Sequence, residues 1–450
     1  MKLILKYNTS APRYTSYPTV PLWDRNPTTE EWKKLIKKSF KESNHNKGIS
    51  LYIHLPYCES LCTYCGCNTR ITVNHKVEIP YIESVIKEWK MYLEVFGAKP
   101  KIKEIHLGGG TPTFFSPENL IILIKNILAA SEIADDAEFS FEAHPGNTTV
   151  QHLKALYHVG FRRVSFGIQD FDPKVQEIIN RKQTFEEVQQ IVELAREVGY
   201  TSINFDLIYG LPLQTPKSVV GTINKVRQLK PDRIAFYSYA HVPWIKPGQR
   251  KFTEFDLPVD AEKRALYELG RKQLKDAKFV EIGMDHFALK TDSLYKASIN
   301  ETLHRNFMGY THNHTQLMIG LGVSSISDTW YAFAQNVKTV EEYRKIIDEG
   351  QLPIFRGHVL SKEDLIVRKH ILNIMCKFET SWINSEEQCK VIYDAIPRLA
   401  EFENDKLIEL HPFNLTVTTK GRAFLRNICM AFDARLWRTN PQQQMFSSSV

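Results

Sequence analysis

The sequence predicts an α/β protein: a parallel sheet curled into a partial (βα)6 barrel, with an N-terminal arm and a mainly helical C-terminal part. Three observations predict it. Short apolar, β-rich runs recur at 49–55, 103–107, 138–142, 162–168, 202–208 and 233–238. Helical stretches separate them, so each strand is followed by a crossover helix, the pattern of a parallel sheet with right-handed connections. The 450 residues, 43% hydrophobic, suffice for one large unit with an ample core plus a smaller one. The expected boundaries are an arm over 1–48, a barrel unit over 49–335 and a C-terminal unit over 336–450.

The arm contains P-R-Y-T-S-Y-P-T at 12–19, whose two prolines favour an extended strap over a helix. A basic helix over 29–40 reads as a solvated face. Inside the barrel, 184–199 shows how the helices are written. Phe185, Val188, Ile191, Val192, Ala195 and Val198 recur at helical spacing, Thr184 with Glu187 forms a capping box, and Gly199 stops the helix.

Ligands of such barrels bind at the carboxyl ends of the strands, and polar residues collect there. The first strand delivers Tyr52, His54 and then a cysteine-rich loop. The second ends in Gly108-Gly109-Gly110-Thr111-Pro112-Thr113, where glycines let the backbone approach a ligand and expose N–H groups. The third ends at Glu142, a carboxylate able to accept ribose hydroxyls or to cap a helix. Gln169 closes the fourth, with Arg181 a short helix later. Asp206 lies near the end of the fifth, and Tyr237 to His241 follow the sixth. An acidic residue in an apolar strand, as at Asp206, needs a partner if buried. Residues 241–335 extend the core, with 320–327 read as a small-residue turn. Helices are expected at 340–349 and 362–377. A later helix–strand–helix pattern through 415–422 is winged-helix-like; without a basic stripe it reads as a lid or packing unit.

Four of the seven cysteines, Cys58, Cys62, Cys65 and Cys67, fall within ten residues. Nothing looks secreted, so disulfides explain them poorly. Zinc remains open, although structural zinc prefers two C-x-x-C pairs set well apart. Three thiolates spaced C-x3-C-x2-C can hold three corners of an iron–sulfur cube and leave the fourth iron free for chemistry.

The C-x3-C-x-Y-C pattern, with Tyr64 before Cys65, resembles the signature of the radical S-adenosylmethionine (SAM) enzymes. The C-G-C ending, the R-Y-T-S-Y-P-T arm, G-G-G-T-P, E-I-G-M-D-H-F-A at 281–288 and N-F-M-G-Y-T at 306–311 are similar to the oxygen-independent coproporphyrinogen III oxidases. The resemblance implies a radical SAM barrel with Cys58, Cys62 and Cys65 as ligands of a [4Fe–4S] cluster. It implies two SAM molecules. Tyr52, Gly109, Glu142 and Ile326 match contacts of the one on the cluster. Tyr64, Gly110, Thr111, Gln169, Arg181, Asp206 and Ala240 match contacts of the second. Tyr52, Glu142, Phe307, Met308 and Ile326 are carried over as the catalytic set. Met308 departs from the family, which has glutamine there.

The implied activity converts two propionates of coproporphyrinogen III to vinyl groups by a 5′-deoxyadenosyl radical, giving protoporphyrinogen IX in heme biosynthesis. A flavodoxin- or ferredoxin-type protein would donate the electrons. Arg13, Arg25 and Arg181 are candidates for the substrate carboxylates. Two other readings stay in view. Heme chaperones related to this family keep the three-cysteine motif but typically lack the arm and the fourth cysteine. The change at Met308 fits a radical SAM enzyme for another tetrapyrrole.

The net charge of +7 suits an acidic small substrate and is too weak to argue for nucleic acid. No apolar run reaches membrane-spanning length, and the N-terminus lacks a signal peptide. Isolated Cys376, Cys389 and Cys429 suit a reducing cytoplasm. A monomer is expected. His312 and His314 read as a solvated pair.

Overall fold

The computed structural model describes residues 2–439 and Phe446. All six expected strands form: β1 (Ile49–Leu55), β2 (Lys101–Gly109), β3 (Glu132–Ala143), β4 (Phe161–Gln169), β5 (Ser202–Tyr209) and β6 (Arg233–Ser238). They lie side by side in chain order, all parallel. β1 is buried at every position except the half-buried Tyr52, as a strand covered on both faces should be. The helix Phe185–Val198 has the caps read from sequence. Thr184 Oγ1 accepts the Glu187 N–H at 3.1 Å, Glu187 returns the bond to the Thr184 N–H at 2.7 Å, and Gly199 ends the helix at φ 112°.

The sheet is wider than six strands. β7 (Val280–Gly283), β8 (His286–Ala288), β9 (Met318–Leu321), β10 (Ile326–Asp328), β11 (Ala332–Asn336) and β12 (Ile354–Val359) extend it. The order is β12-β11-β10-β9-β1-β2-β3-β4-β5-β6-β8-β7, with β9 parallel to β1. The stretch read as a turn at 320–327 is therefore two strand ends and a tight reversal. Gly320 permits it, because a Cβ there would sit 2.5 Å from the Ile326 carbonyl oxygen. The helix Thr29–Ser43 is also more than a solvated face. Trp32, Ile36 and Phe40, at i, i+4 and i+8, are buried in the main core, while the intervening lysines mask that stripe.

A second core joins distant parts of the chain. Tyr7, Tyr14 and Tyr17 of the arm pack with Ile282, Tyr310, Ile371, Ile374, Phe424 and Ile428. Tyr7 donates to Asp405 at 2.6 Å, Tyr14 donates to Asp433 at 3.0 Å, and Arg426 donates to the carbonyls of Ala11 and Pro12. The C-terminal part carries the helices Lys362–Lys377, Lys390–Asn404 and Leu425–Phe432 around a small antiparallel sheet of Glu379–Ser381, Ile408–His411 and Asn414–Val417. Among the described residues no helix is long and apolar enough to cross a membrane.

Candidate active site

Strand register decides which residues meet at the rim. His54 and Leu55 of β1 lie beside Gly108 and Gly109 of β2. Tyr52 pairs with His106 across the same ladder, Glu142 pairs with Ser165, and Gly167 with Asp206. The loop after β1 and the turn after β2 thus share one mouth with the ends of β3, β4 and β5. A cavity of about 260 Å³ opens there. Cys58, Cys62, Cys65, Tyr64, Gly109, Gly110, Thr111, Glu142, Gln169, Arg181 and Asp206 all line it.

The glycine turn is built for close approach. Gly109 sits at φ 111°, and a Cβ on it would lie 2.5 Å from the His54 ring; one on Gly110 would lie 2.6 Å from the Pro56 carbonyl. The expectation that this turn exposes its N–H groups is not met. Gly109 donates to Glu142 at 3.1 Å, Gly110 to the Leu55 carbonyl at 2.8 Å, and Thr111 to the Tyr57 carbonyl at 2.9 Å. These bonds tie the turn to the cysteine loop, and Thr111 Oγ1 lies 3.2 Å from Cys58 Sγ.

Burial alone would raise the Glu142 carboxyl. The His106 imidazole at 3.5 Å, the Gly109 N–H and the nearby His54 outweigh it and hold the group below its ordinary value. Yet 41% of the Glu142 side chain still faces the cavity, so an ionised acceptor is presented to a ligand. Asp206 is the opposite case. Burial pushes it up to about 6, although it accepts from Ser165 at 2.8 Å and Asn204 at 2.9 Å. Arg181 is buried. It donates to the Gly167 carbonyl at 2.6 Å and lies 3.7 Å from Cys62 Sγ. Gln169 adopts φ 65° at a bulge in β4, and a Cβ on Gly167 would lie 2.7 Å from its amide nitrogen.

Other expected residues stand apart from this wall. Tyr52 lies behind it, its hydroxyl 3.1 Å from His54 Nδ1 and its ring stacked on His106. Met308 lines an adjoining chamber of about 150 Å³ that shares Glu142, Ser165, Asp206 and Tyr237 with the cavity. Phe307 meets Phe333 edge to face, Ile326 begins β10, and the Ala240 carbonyl accepts from Gln249. Arg13 donates to the Ser238 carbonyl at 2.8 Å and lies 3.7 Å from Asp285, whereas Arg25 is an exposed ion pair with Glu31. His312 is half-buried, 3.8 Å from Glu138, whereas His314 is exposed as expected and stacks on His304 at 4.1 Å.

The sequence reading passed over His106 and Ser165. Both lie in strands that carry other polar or charged residues, KIKEIHLGG and FRRVSFGIQ, so neither stood out as Asp206 did. His144, held down to about 3 by burial and by Arg181, completes the wall.

The donor set suits an iron–sulfur cube. Burial pushes the Cys58 thiol up to about 11, whereas hydrogen bonding from Cys67 holds the Cys65 thiol down to about 6. Among the described residues no three of His, Cys, Asp and Glu gather around one point that a single ion could occupy.

The Radical SAM superfamily model matches residues 52–226. The barrel, its rim and this match define the class: a radical SAM enzyme, whose cofactors are a [4Fe–4S] cluster and SAM. The oxygen-independent coproporphyrinogen III oxidase of Pseudomonas aeruginosa is 38% identical over 98% of this chain and 97% of its own. That of Escherichia coli is 36% identical over 100% of this chain and 98% of its own. The solved coproporphyrinogen III oxidase of Escherichia coli, described as a radical SAM enzyme, superposes with a TM-score of 0.89 at 34% identity, covering 96% of this chain and 98% of that one. This chain belongs to the family of oxygen-independent coproporphyrinogen III oxidases.

Proposed function

We propose that the protein converts two propionate side chains of coproporphyrinogen III to vinyl groups without oxygen, releasing carbon dioxide and giving protoporphyrinogen IX. The observation that carries this reading is the single cavity into which Cys58, Cys62 and Cys65, the Gly109–Gly110 turn and Glu142 all face. When bound, the reduced cluster and SAM supply a 5′-deoxyadenosyl radical that removes a hydrogen atom from the substrate.

The residues divide that work. Cys58, Cys62 and Cys65 hold three irons. Gly109, lacking a side chain, admits the methionine part of SAM, and ionised Glu142 accepts its ribose hydroxyls. His106, packed on Tyr52, keeps Glu142 charged and aimed. Tyr64, Gly110, Thr111, Gln169, Arg181, Asp206 and Ala240 form the place of a second SAM. Phe307, Met308 and Ile326 shape the space where the propionate meets the radical, and the barrel wall excludes water from it. Arg13 offers a cation to a substrate carboxylate beside the end of β6. The same reading divides the chain near residues 48 and 335. It takes the enzyme as a monomer of the reducing cytoplasm, in keeping with seven free thiols, and takes its electrons from a flavodoxin- or ferredoxin-type protein.

Anaerobic turnover of the reconstituted protein with SAM, dithionite, an electron acceptor and coproporphyrinogen III tests the reading. Protoporphyrinogen IX with one 5′-deoxyadenosine per propionate lost is the expected result. SAM cleavage without release of carbon dioxide would move the activity to another tetrapyrrole, the alternative that Met308 favours.

A further inference from the structure

The outer side of the cysteine loop is ringed by three segments that touch its backbone or its side chains. From one side, Lys246 Nζ donates to the Cys67 carbonyl at 2.9 Å, Gln249 donates to the Tyr64 carbonyl at 3.2 Å, and Leu61 lies against Gly248. From a second, the Lys338 carbonyl accepts the Asn68 amide at 3.0 Å, and Glu341 pairs with Arg70 at 3.0 Å. From the third, His75 reaches Glu59 of the loop at 3.8 Å.

This collar combines two features that seldom coincide by chance. Leu61, Ile71, Val73, Trp244, Ile245 and Phe355 are all exposed, Trp244 by 57% and Ile245 by 65%. Around them stand Arg70, Lys76, Lys246, Lys338 and Arg356, against only Glu59 and Glu341 among the carboxylates named in these contacts. The cations crowd each other. Lys338 lies 5.6 Å and Arg356 5.8 Å from the Phe355 ring, and burial, then Arg356 and Lys246, lower the Lys338 pKa. An apolar centre with a predominantly positive rim marks a recognition surface.

We propose that this collar is the docking face for a small acidic protein that delivers electrons one at a time. The inference rests on the proposed cluster at Cys58, Cys62 and Cys65. Electron tunnelling falls off exponentially with distance, so a carrier must touch the protein where that loop reaches solvent. Glu59, Ser60, Leu61, Gly66 and Cys67 are the exposed part of the loop; with Ile71 they also form the mouth of the cavity, and Lys76, Trp244, Lys246 and Lys338 stand outside it. In the encounter the carrier's reduced cofactor loses one electron and the cluster gains it; no bond forms or breaks. Positive charge steers an acidic carrier in and the apolar centre holds it briefly, as suits the small interfaces of redox encounters. A tetra-acidic substrate is drawn by the same sign of charge. Lys76, Lys338 and Trp244, however, do not line the cavity that would receive it.

The test measures binding before activity. Oxidised flavodoxin, which docks without passing an electron, is titrated against the full-length reconstituted protein at low and high salt. The double variant Lys76→Glu/Lys338→Glu is expected to weaken binding at least tenfold at low salt and to flatten the salt dependence. Trp244→Ala is expected to weaken binding about tenfold at both salts. With dithionite, which needs no docking face, both variants are expected to keep the parent's turnover and substrate KM. No binding by the parent, unchanged affinity in both variants, or a raised substrate KM in place of weaker binding would each overturn the proposal. Failure of the proposed function shows separately, as dithionite-driven SAM cleavage in the parent without loss of carbon dioxide.

Discussion

The rim has two halves that face the same cavity and treat their polar groups differently. In the half built from the ends of β1, β2 and β3, every donor has a task. Gly109, Gly110 and Thr111 give their N–H groups to Glu142, Leu55 and Tyr57, and His106 adds its imidazole to Glu142. That carboxylate stays ionised although the barrel encloses it. In the half built from β4, β5 and β6, Asp206 has neutral partners in Ser165 and Asn204, while Arg181 is spent on Gly167 and Cys62. Burial then prevails and Asp206 rises to about 6. Depth alone therefore does not set the charge of a rim carboxylate; the identity of its donors does.

The comparison can be broken most severely at the cysteines. Cys62→Ala should remove a cluster ligand from the first half, abolishing both iron–sulfur absorbance after reconstitution and SAM cleavage. A zinc-loaded protein with normal iron-free activity would overturn the division of the rim. Glu142→Gln should come next, costing about 100-fold in SAM cleavage, as expected for loss of a charge-assisted bond worth about 1.5–3 kcal/mol. A drop smaller than that for Asp206→Asn would reverse the ranking of the halves.

The third prediction is a pH dependence. The folded-state pKa of Asp206 lies above its ordinary value of 3.8, so the folded protein binds that proton more tightly than the unfolded chain. Its stabilising contribution is full below about 4 and is lost as pH rises through about 6, a loss of about 3 kcal/mol. Asp206→Asn should flatten the fall in denaturation midpoints between pH 4 and 7, whereas Glu142, held below its ordinary value of 4.5, adds a slope of the opposite sign confined to pH values near and below that value. Equal slopes in parent and variant would remove the contrast. The smallest effect is expected at Met308, in the adjoining chamber rather than on the rim. Met308→Gln should change substrate KM by about fivefold or less, a change of about 1 kcal/mol, and leave the rate of SAM cleavage untouched.

Much of the first half was legible in the sequence, because its determinants are local. Four cysteines in ten residues and three consecutive glycines are visible without a neighbour, and the strand that places each one is bounded by its own hydrophobic pattern. The second half was legible only in part. Ser165 and Asn204 look like ordinary strand residues until register sets Ser165 beside Glu142 and turns both toward Asp206. His106 becomes informative only against Tyr52 across the ladder. The turn read at 320–327 is present but shorter than its small residues suggest, because the backbone at its two ends pairs with β1 and β11. The lysine-rich helix Thr29–Ser43 hid its buried stripe behind charge.

The second core has a consequence for the order of events during synthesis. Tyr7 and Tyr14 find their hydroxyl partners at Asp405 and Asp433, near the other end of the described chain. The arm leaves the ribosome before the barrel, yet its pocket does not exist until the helices of the C-terminal part have followed. Barrel strands can pair with neighbours as they emerge, whereas the arm must wait beside a half-made protein. Its tyrosines and prolines are then exposed for most of a translation cycle, which makes the segment that closes the structure also the one most open to capture by a chaperone.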